Sequence, residues 1–378
     1  KSCAAENELE AVEKSARVND NLVFMGKNAR CLCHTLVVPM LVSKFAANRL
    51  SMQFRIYQPL PGRTLTQELD DLLLQLYDVK TSFTRVYFSD VKNQLPTFEC
   101  HPLAQKLNEG VVAYVEQPPL DGSKVALQTV EGDTSHFMFQ TIRFDESEKL
   151  QSSEEQTFEA FEHHISFLHE QGLSLKDNCL RTWCFVHDID RHYEGFISGR
   201  NQLFAREGLN KDSHFIASTG IGGSFACNAA LVGIDFLSVD KTYSDTIRYL
   251  QAPEYLNRTE EYGVAFERGA TIDVTGERYF FISGTASIDK QGNIVHPGDV
   301  VTQAGRLFLN IQELLKDGGG SLADLQSVII YLRDIADYVT IDRYMRMRFP
   351  QLSFLIVQAR VCRPGWLIEV EGVAAKSL

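Results

Sequence analysis

The stretch VCRPGWLIEVEG, residues 361–372, combines residue types that could deliver a proton and bind an anion. In an extended strand the side chains alternate between two faces, so Leu367, Glu369 and Glu371 share one face. An outer strand with one face in water is the simpler interpretation. In the alternative interpretation, Glu369 faces a pocket to which Arg363 also contributes. Alternation alone does not decide which glutamate would be the acid.

Length, composition and charge are those of an ordinary globular protein. The chain has 378 residues, which predicts two or three modules, and 44% of them are hydrophobic. The net charge of −12 argues against a general nucleic-acid or anionic-membrane binder. An anionic substrate would therefore need a local cluster of Arg or Lys. No apolar run approaches the roughly 20 residues of a membrane helix, and the polar start is unlike a signal peptide.

The cysteines and histidines form no complete metal-binding pattern. The eight cysteines show no C-x-x-C spacing, and Cys31 and Cys33 form a C-x-C pair without a second half. His163, His164 and His169 are not four residues apart, so a solvated helix face is expected for them. We predict no metal and no cofactor, and reduced thiols in a cytoplasmic protein.

Two segments of the chain repeat one pattern. SLKDNCLRTWCFVHDI (174–189) and SLADLQSVIIYLRDI (321–335) each begin Ser-Leu-x-Asp, continue as an apolar strand and end Asp-Ile. An amphipathic helix precedes each one, at 154–172 and 299–319, and both helices stop at a glycine. A fainter copy lies upstream, so Asp90, Asp188 and Asp334 would end three equivalent strands.

The repeats predict an α+β fold of tandem modules, with helices packed on one face of mixed β-sheets. The predicted modules are residues 1–125, 126–250 and 251–378. Each is expected to begin with a strand pair. In the first module, HPLAQKLNEG (101–110) is expected to be the second helix.

The third module resembles the Rid/YjgF superfamily in its S-G sequence, in GNIVHPGDVVTQ and in the terminal EVEGVA. That resemblance implies a chorismate-mutase-like fold and trimers with ligand sites between subunits, so three modules in one chain would form a pseudo-trimer. From about residue 130 onward the chain is similar to the chorismatases, also called pteridine-dependent-dioxygenase-like proteins. The similarity rests on LRTWCFVHDI, GRNQLF, ASTGIGG, ISGTAS, YLRD and VCRPGWLIEVEG, in that order.

The resemblance implies removal of pyruvate from chorismate, a small dicarboxylate that carries an enolpyruvyl ether. Protonating the methylene carbon of that ether requires a carboxylic acid kept neutral near neutral pH. The family's acid corresponds to Glu369, with Glu371 at a solvent-side or supporting position. The pocket is expected between modules two and three.

Two substrate carboxylates require arginines, whose planar guanidinium binds them in a bidentate manner. The candidate arginines stand within the family-like motifs, mostly near the ends of predicted strands or helices. Small and hydroxylated residues of ASTGIGGS and SGTAS could let a ligand approach the backbone closely. The predicted substrate-binding residues are Arg181, Arg200, Arg333, Arg363, Ser218, Thr219, Gly284 and Ala286.

Cys362 is the second predicted catalytic residue beside Glu369, and with Ala286 it would select the product, which stays open. Within the family, members that form 3-hydroxybenzoate carry a Cys near the acid, whereas Ala286 is more typical of members that form a dihydroxycyclohexadiene acid. Cys362 could equally be an inert core residue. An imine or enamine deaminase and a non-catalytic small-ligand-binding protein remain alternatives. The expected partner is a small anionic dicarboxylate, and neither nucleic acid nor a membrane is expected to bind. The protein is expected to be a pseudo-trimeric monomer or a homo-oligomer.

Overall fold

The computed structural model describes residues 51–145, 152–259 and 263–378. Cys31 and Cys33 lie outside the described residues. No helix within these ranges combines the length and the apolarity that a membrane-spanning segment requires.

The first sheet has the strand order β1-β4-β2-β3. Its helices bury apolar side chains against one face of the sheet, around Val86 and Phe88. Helix α1 begins at a capping box in which Thr64 and Gln67 bond each other's backbone. The elements are β1 (Gln53–Tyr57), α1 (Leu65–Gln75), β2 (Thr81–Phe88), α2 (Val91–Glu99), α3 (Pro102–Leu107), β3 (Val111–Glu116) and β4 (Val125–Glu131).

The second sheet has the order β5-β8-β6-β7. Its longest helices, α4 and α6, pack together beside it, and Ser152 and Glu155 form the capping box of α4. The elements are β5 (Phe137–Ile142), α4 (Ser153–Glu170), α5 (Leu175–Asn178), β6 (Cys179–Val186), α6 (Ile189–Arg206), β7 (Ala217–Gly222) and β8 (Val232–Val239).

The third sheet has six strands in the order β13-β12-β14-β11-β10-β9. Helix α7 has a strongly amphipathic sequence, and its apolar side packs on β11 and β14. The elements are β9 (Arg248–Tyr249), β10 (Gly269–Val274), β11 (Glu277–Ala286), α7 (Val300–Asp317), β12 (Leu325–Leu332), α8 (Tyr338–Arg348), β13 (Ser353–Gln358) and β14 (Ile368–Ser377). The fold is thus α+β with mixed sheets, as the sequence predicts.

The three sheets share one ladder geometry. Their central strands β2, β6 and β12 each have eight residues, and each pairs in parallel with the following strand and antiparallel with the last one. In all three antiparallel ladders the register shifts between the first and third residues of the central strand. Positions can therefore be compared directly, and Glu369 of β14 corresponds to Gly233 of β8 and Ala126 of β4.

Some details differ from the sequence-based prediction. Helix α2 was not expected. It contains Pro96, although proline usually disrupts the interior of a helix. The second predicted module was expected to begin with a strand pair, but in the second sheet only β5 precedes the first helix, whereas the third module begins with the hairpin β10–β11. The predicted module boundary at residue 125 falls where β4 begins, and the boundary at residue 250 falls just after β9. The division into three modules stays a prediction.

Buried polar side chains from all three sheets meet on the inner faces of these ladders. Arg85 Nε of β2 donates to Asp235 Oδ2 of β8 at 2.8 Å, and Arg181 Nη2 of β6 donates to Glu371 Oε2 of β14 at 2.8 Å. Tyr331 OH of β12 donates to the other Glu371 oxygen at 2.9 Å. All five side chains are almost fully buried, so each charge depends on its partner for compensation.

Candidate functional site

A cavity lies between elements of the second and third sheets. It measures about 530 Å³, including its part open to solvent. Backbone-to-side-chain bonds hold its walls together, since Ser218 N donates to Ser283 Oγ and Gly284 N donates to Thr219 Oγ1, both at 2.9 Å. The lining residues are Tyr193, Phe196, Arg200, Ser218, Gly220, Val264, Phe266, Arg268, Gly284, Ala286, Ile288, Cys362, Arg363, Trp366 and Glu369.

Glu369 is the acid of this cavity. It stands on β14 opposite Ala286 of β11 and Tyr331 of β12, and 4% of its surface is exposed. The pKa of Glu369 is raised to about 8, chiefly by burial and also by the nearby Glu371 carboxylate, while the charges of Arg268 and Arg181 oppose the rise. A carboxyl group with this pKa is protonated at neutral pH and can donate a proton. The pocket-facing interpretation of Glu369 is therefore the one that agrees with its burial.

Gly284 makes room for that carboxyl group. A Cβ atom at position 284 would lie 2.0 Å from Glu369 Oε1 and 3.1 Å from the Thr219 methyl group. Side chains do not approach so closely, so any residue other than glycine would displace the acid. Gly284 therefore acts through its lack of a side chain, in agreement with the expected close approach at the SGTAS segment.

Glu371 does not face solvent, contrary to the solvent-side expectation. Its side chain is buried and accepts hydrogen bonds from Arg181 and Tyr331. Arg181 also donates to Thr219 Oγ1, which in turn accepts from Gly284 N. Arg181 and Thr219 thus lie behind the cavity wall rather than in it, because Arg181 neutralises a buried carboxylate two residues from Glu369.

Three arginines line the cavity. Arg200 of α6 is 2% exposed, and its guanidinium lies 5.0 Å from the ring centre of Phe196. The Arg363 guanidinium lies 5.1 Å from the ring centre of Trp366. Arg268, which precedes β10, donates to the backbone and side-chain oxygens of Asn257. Three cations around one protonated acid form a suitable environment for a small dicarboxylate.

Arg268 lines the cavity but was not predicted as a substrate-binding residue, whereas Arg333, which was predicted, lies outside the cavity. Arg268 stands directly before a strand, the same element-end signal that singled out the other arginines. Arg333 is not among the residues that line the cavity, because its Nη2 donates to both Asp190 oxygens, at 2.9 and 3.1 Å. Its Nη1 donates to Val361 O at 2.7 Å. Arg333 therefore ties α6 to the chain before β14.

Cys362 and Ala286 both line the cavity beside Glu369. Burial raises the pKa of the Cys362 thiol to about 12, and the nearby Glu369 carboxyl adds to the rise. A hydrogen bond from Tyr193 and the Arg363 charge act in the opposite direction. The side chain is consequently a neutral thiol at neutral pH rather than a thiolate.

The apolar wall of the cavity was not predicted. It consists largely of aromatic and branched residues on α6, on the 264–268 segment and after Arg363. The only sequence signal for them was their nearness to the motifs, since a core aromatic gives the same pattern. The residues are Tyr193, Phe196, Val264, Phe266, Ile288 and Trp366.

His164 is held by neighbouring side chains. It is buried, not solvated as expected, and it contacts Gln140 Oε1 and Ser238 Oγ at 2.6 and 2.9 Å. Burial lowers its pKa to about 3, so it is neutral. Within the described part of the chain, no group of three or more His, Cys, Asp or Glu side chains is arranged to hold a metal ion.

Comparison with known proteins gives matches to two separate stretches. Residues 115–234 match the family described as chorismatase FkbO/Hyg5-like, N-terminal, and residues 271–376 match endoribonuclease L-PSP. The 3-aminoacrylate deaminase RutC of Acinetobacter baylyi is 34% identical over 96 residues, which are 25% of this chain and 76% of that protein.

A solved structure extends the likeness over most of the chain. The crystal structure of a chorismatase superposes with a TM-score of 0.64 and 18% identity, over 86% of this chain and 99% of that one. At this identity the likeness concerns the fold. Together with the two family matches, it confirms the resemblance read from the motifs. The chain belongs to the Rid/YjgF (L-PSP) superfamily, as a chorismatase-like member.

Proposed function

We propose that the chain is a chorismatase-type enzyme that removes pyruvate from chorismate or a related enolpyruvyl dicarboxylate. The observation that carries the proposal is Glu369, a buried carboxylic acid with a pKa of about 8 in a cavity that three arginines line. A neutral acid is what protonation of carbon requires, whereas an ionised carboxylate could not donate.

In the proposed reaction Glu369 donates its proton to the methylene carbon of the enol ether, and the electron pair of the double bond forms the new C–H bond. The ether oxygen then shares the positive charge of an oxocarbenium ion, which the Glu369 carboxylate now faces. Addition of water to that cation, with return of one of its protons to the Glu369 carboxylate, gives a neutral hemiketal. The bond between the hemiketal carbon and the ether oxygen then breaks, which releases pyruvate and leaves a dihydroxycyclohexadiene acid. Loss of pyruvate without net uptake of water gives 3-hydroxybenzoate instead.

The substrate carboxylates would bind Arg200, Arg268 and Arg363. These side chains come from α6, from the segment before β10 and from the loop before β14, so they approach the cavity from different sides. Two carboxylates among three guanidiniums leave a net charge of +1. Proton transfer does not change that total, because the Glu369 carboxylate and the oxocarbenium ion that it creates carry opposite charges. The arginines therefore bind the substrate, and the ionised Glu369 is the group that stabilises the cation.

The test is pyruvate release from chorismate, measured with lactate dehydrogenase and NADH, with the ring product separated by chromatography. The Glu369→Gln variant should lose about 10²- to 10⁴-fold in kcat, the usual contribution of a general acid. Glu277→Gln is the matched control, because Glu277 stands at the far end of β11 and bonds Ser377. Equal pyruvate from wild type and Glu369→Gln would contradict the role of Glu369.

We propose that Cys362 and Ala286 select between the two products, since both stand beside Glu369. Cys362→Ala should change the ratio of 3-hydroxybenzoate to diene diol at unchanged total pyruvate. Cys100→Ala, which removes an exposed thiol directly after helix α2, is the control. An unchanged ratio in Cys362→Ala would assign Cys362 to packing alone.

A second candidate is an imine or enamine deaminase of the same superfamily. The relative that is 34% identical is named a 3-aminoacrylate deaminase, and Arg363 could bind the carboxylate of such a substrate equally well. Ammonia release from an enamine acid, with no pyruvate from chorismate, would favour it. If neither product forms while dicarboxylates still bind, a non-catalytic binding protein is the remaining interpretation.

We also propose that the three repeats form a pseudo-trimer within one chain. Identical ladders and a buried cluster contributed by all three sheets support this arrangement. Light scattering should then give a monomer near the chain mass of 42.7 kDa. A defined trimer would show that association between chains supplies further interfaces. A cytoplasmic location with reduced thiols stays an expectation.

A further inference from the structure

Arg268, one of the three cavity arginines, is bonded to a buried asparagine. The Arg268 side chain lines the cavity and is 7% exposed. Its Nη2 donates to Asn257 Oδ1 at 3.1 Å and to Asn257 O at 3.3 Å, so the side chain and the backbone of one residue receive the same guanidinium nitrogen. Asn257 is 8% exposed and is not among the residues that line the cavity. It therefore contacts the arginine from behind the cavity wall.

The Asn257 side chain is itself packed closely against a turn. A Cβ atom at Gly292 would lie 2.8 Å from Asn257 Nδ2 and 3.2 Å from Asn257 Cγ, and Gly292 has a φ of +79°. Glycine adopts this backbone conformation without strain and lets the turn approach the amide. The turn follows Ile288, which lines the cavity. The amide is thus held between Arg268 and a turn that leads out of the cavity wall.

An amide suits this position better than a carboxylate would. An amide oxygen accepts a hydrogen bond and so fixes the direction of a guanidinium, but it carries no net charge and does not diminish the attraction of Arg268 for an anion. Arg181, which lies behind the cavity wall, is paired with the Glu371 carboxylate instead. The charge of Arg268 acts in the cavity, since it lowers the pKa of Glu369.

We propose that Asn257 is a positioning residue that directs Arg268 toward a substrate carboxylate without neutralising it. This inference rests on the proposed function, because it assigns Arg268 to one of the two carboxylates of the substrate. A long side chain that is already oriented loses little rotamer freedom when the ligand binds, and this advantage corresponds to about two- to tenfold in affinity. Asn257 therefore contributes to substrate binding without touching the substrate.

The test measures the Kd of chorismate by calorimetry in a Glu369→Gln background, so that turnover does not obscure binding. Asn257→Ala leaves Arg268 to be ordered by the ligand and should weaken binding about three- to tenfold. Asn257→Asp keeps the shape of the side chain but adds a carboxylate that competes with the substrate for Arg268, so binding should weaken at least tenfold. Because Asn257→Asp is isosteric, it remains available as the test if the alanine variant does not fold.

Two further variants separate an effect through Arg268 from a loss of packing. In an Arg268→Gln background, Asn257→Ala should not weaken binding any further, because no guanidinium is left to orient. Asn178→Ala is the matched control, since Asn178 is 4% exposed and bonds the backbone of Ser174 and Val239. It makes the same chemical change at another buried amide and should leave the Kd unchanged.

The pH dependence of pyruvate release gives a second readout, in the background that retains Glu369. The Arg268 charge opposes the rise in the pKa of Glu369, so cancelling that charge should favour the protonated acid. Asn257→Asp should therefore move the alkaline fall in kcat to higher pH, as Arg268→Gln should. Loss of packing alone does not predict this direction. The other charged or titratable groups around Glu369 are unchanged in these variants: Arg181, Arg200, Cys362, Arg363 and Glu371.

An unchanged Kd together with an unmoved alkaline fall in Asn257→Asp would overturn the inference. So would an Asn257→Ala effect of equal size with and without Arg268, which would assign Asn257 to packing. Pyruvate release by the wild type in either case would leave the proposed function intact. Absence of both chorismate binding and pyruvate release would overturn the proposed function and the inference together.

Discussion

The cavity and the interface between the first two sheets occupy equivalent places on the same backbone. Gly233 of β8 stands where the third sheet has Glu369. On the neighbouring strand β5, Ile142 pairs with Ile234. Arg143 follows Ile142 and therefore stands opposite Gly233. A Cβ at Gly233 would lie 2.6 Å from the Phe225 ring and 2.8 Å from Arg143 Cδ. In the third sheet, Ala286 stands opposite Glu369 and leaves space.

The comparison shows how one repeated fold yields a filled interface and an open site. In the filled interface a long cation takes the place of alanine, and a glycine takes the place of the acid. Arg143 then lies 2.8 Å from Asp235, whose position corresponds to that of Glu371. The large side chain thus stands on the opposite strand of the ladder and has the opposite charge, and together with the Phe225 ring it occupies the space beside Gly233.

The largest effect is expected at Asp235, which holds the filled interface together. It is fully buried between Arg85 and Arg143 and accepts from Thr141 at 2.8 Å. Asp235→Asn should lower the free energy of unfolding by about 3–5 kcal/mol, because two buried guanidiniums lose their counter-charge. Urea unfolding measures this. Asp342→Asn, from the surface pair with Arg346, should cost at most about 1 kcal/mol, and equal losses would contradict the argument.

The next effect concerns the open site. Gly284→Ala places a methyl group against Glu369 and should reduce kcat for pyruvate release about 10²-fold, the effect of displacing a catalytic group by an ångström. Gly305→Ala, a helix position where the nearest atom is 3.9 Å away, is the matched control and should not reduce kcat. Full activity in Gly284→Ala would show that Glu369 has another productive position.

The same substitution in the filled interface should act on stability instead. Gly233→Ala overpacks Phe225 and Arg143, and we expect a loss of about 1–3 kcal/mol in the free energy of unfolding. The folded protein should keep its kcat within about twofold, since the acid and the arginines are untouched. A selective loss of activity without a loss of stability would mean that the two clefts are coupled.

The pH profile should separate the two carboxylates of the motif. In the proposed reaction Glu369 acts as the protonated acid, so we expect activity to be present below its pKa and to fall as pH rises through about 8. In Glu371→Gln the neighbouring negative charge is removed, and the alkaline fall should move to lower pH. The profile of kcat against pH checks this. An unmoved alkaline limb would assign it to another group.

The smallest effect is expected at Arg333. Because its guanidinium is bound to Asp190 and Val361 O outside the cavity, Arg333→Gln should leave KM for chorismate within about twofold. Arg200→Gln, inside the cavity, should raise KM by tenfold or more, as expected for loss of a buried charge-assisted bond. Equal changes in KM would mean that Arg333 reaches the ligand.

The repeats could be predicted because local patterns carry them. Apolar eight-residue strands that end before an aspartate are visible in the sequence, and Asp90, Asp188 and Asp334 each stand two residues after the central strand. Helix α2 was not predicted, since only the segment 101–110 was expected to be helical after the central strand of the first module. This helix is short and contains Pro96, and the Asp90 side chain caps its N-terminus.

The site could be predicted only where one segment holds its parts. Glu369, Arg363 and Cys362 lie within eight residues, and strand alternation directs the acid to one face. Arg181 and Glu371 are 190 residues apart, so their pairing depends on how the sheets meet and is invisible in either motif. The same holds for Arg333 and Asp190, 143 residues apart.

The shared register has a consequence for stoichiometry. Because Ala126 and Gly233 stand where Glu369 stands, two of the three repeats lack the acid at that position, although they share its backbone ladder. Among the three ladders that the structure describes, one therefore carries such an acid. Calorimetric titration with a dicarboxylate should saturate at one ligand per chain, and each additional copy in any assembly would add one site rather than three.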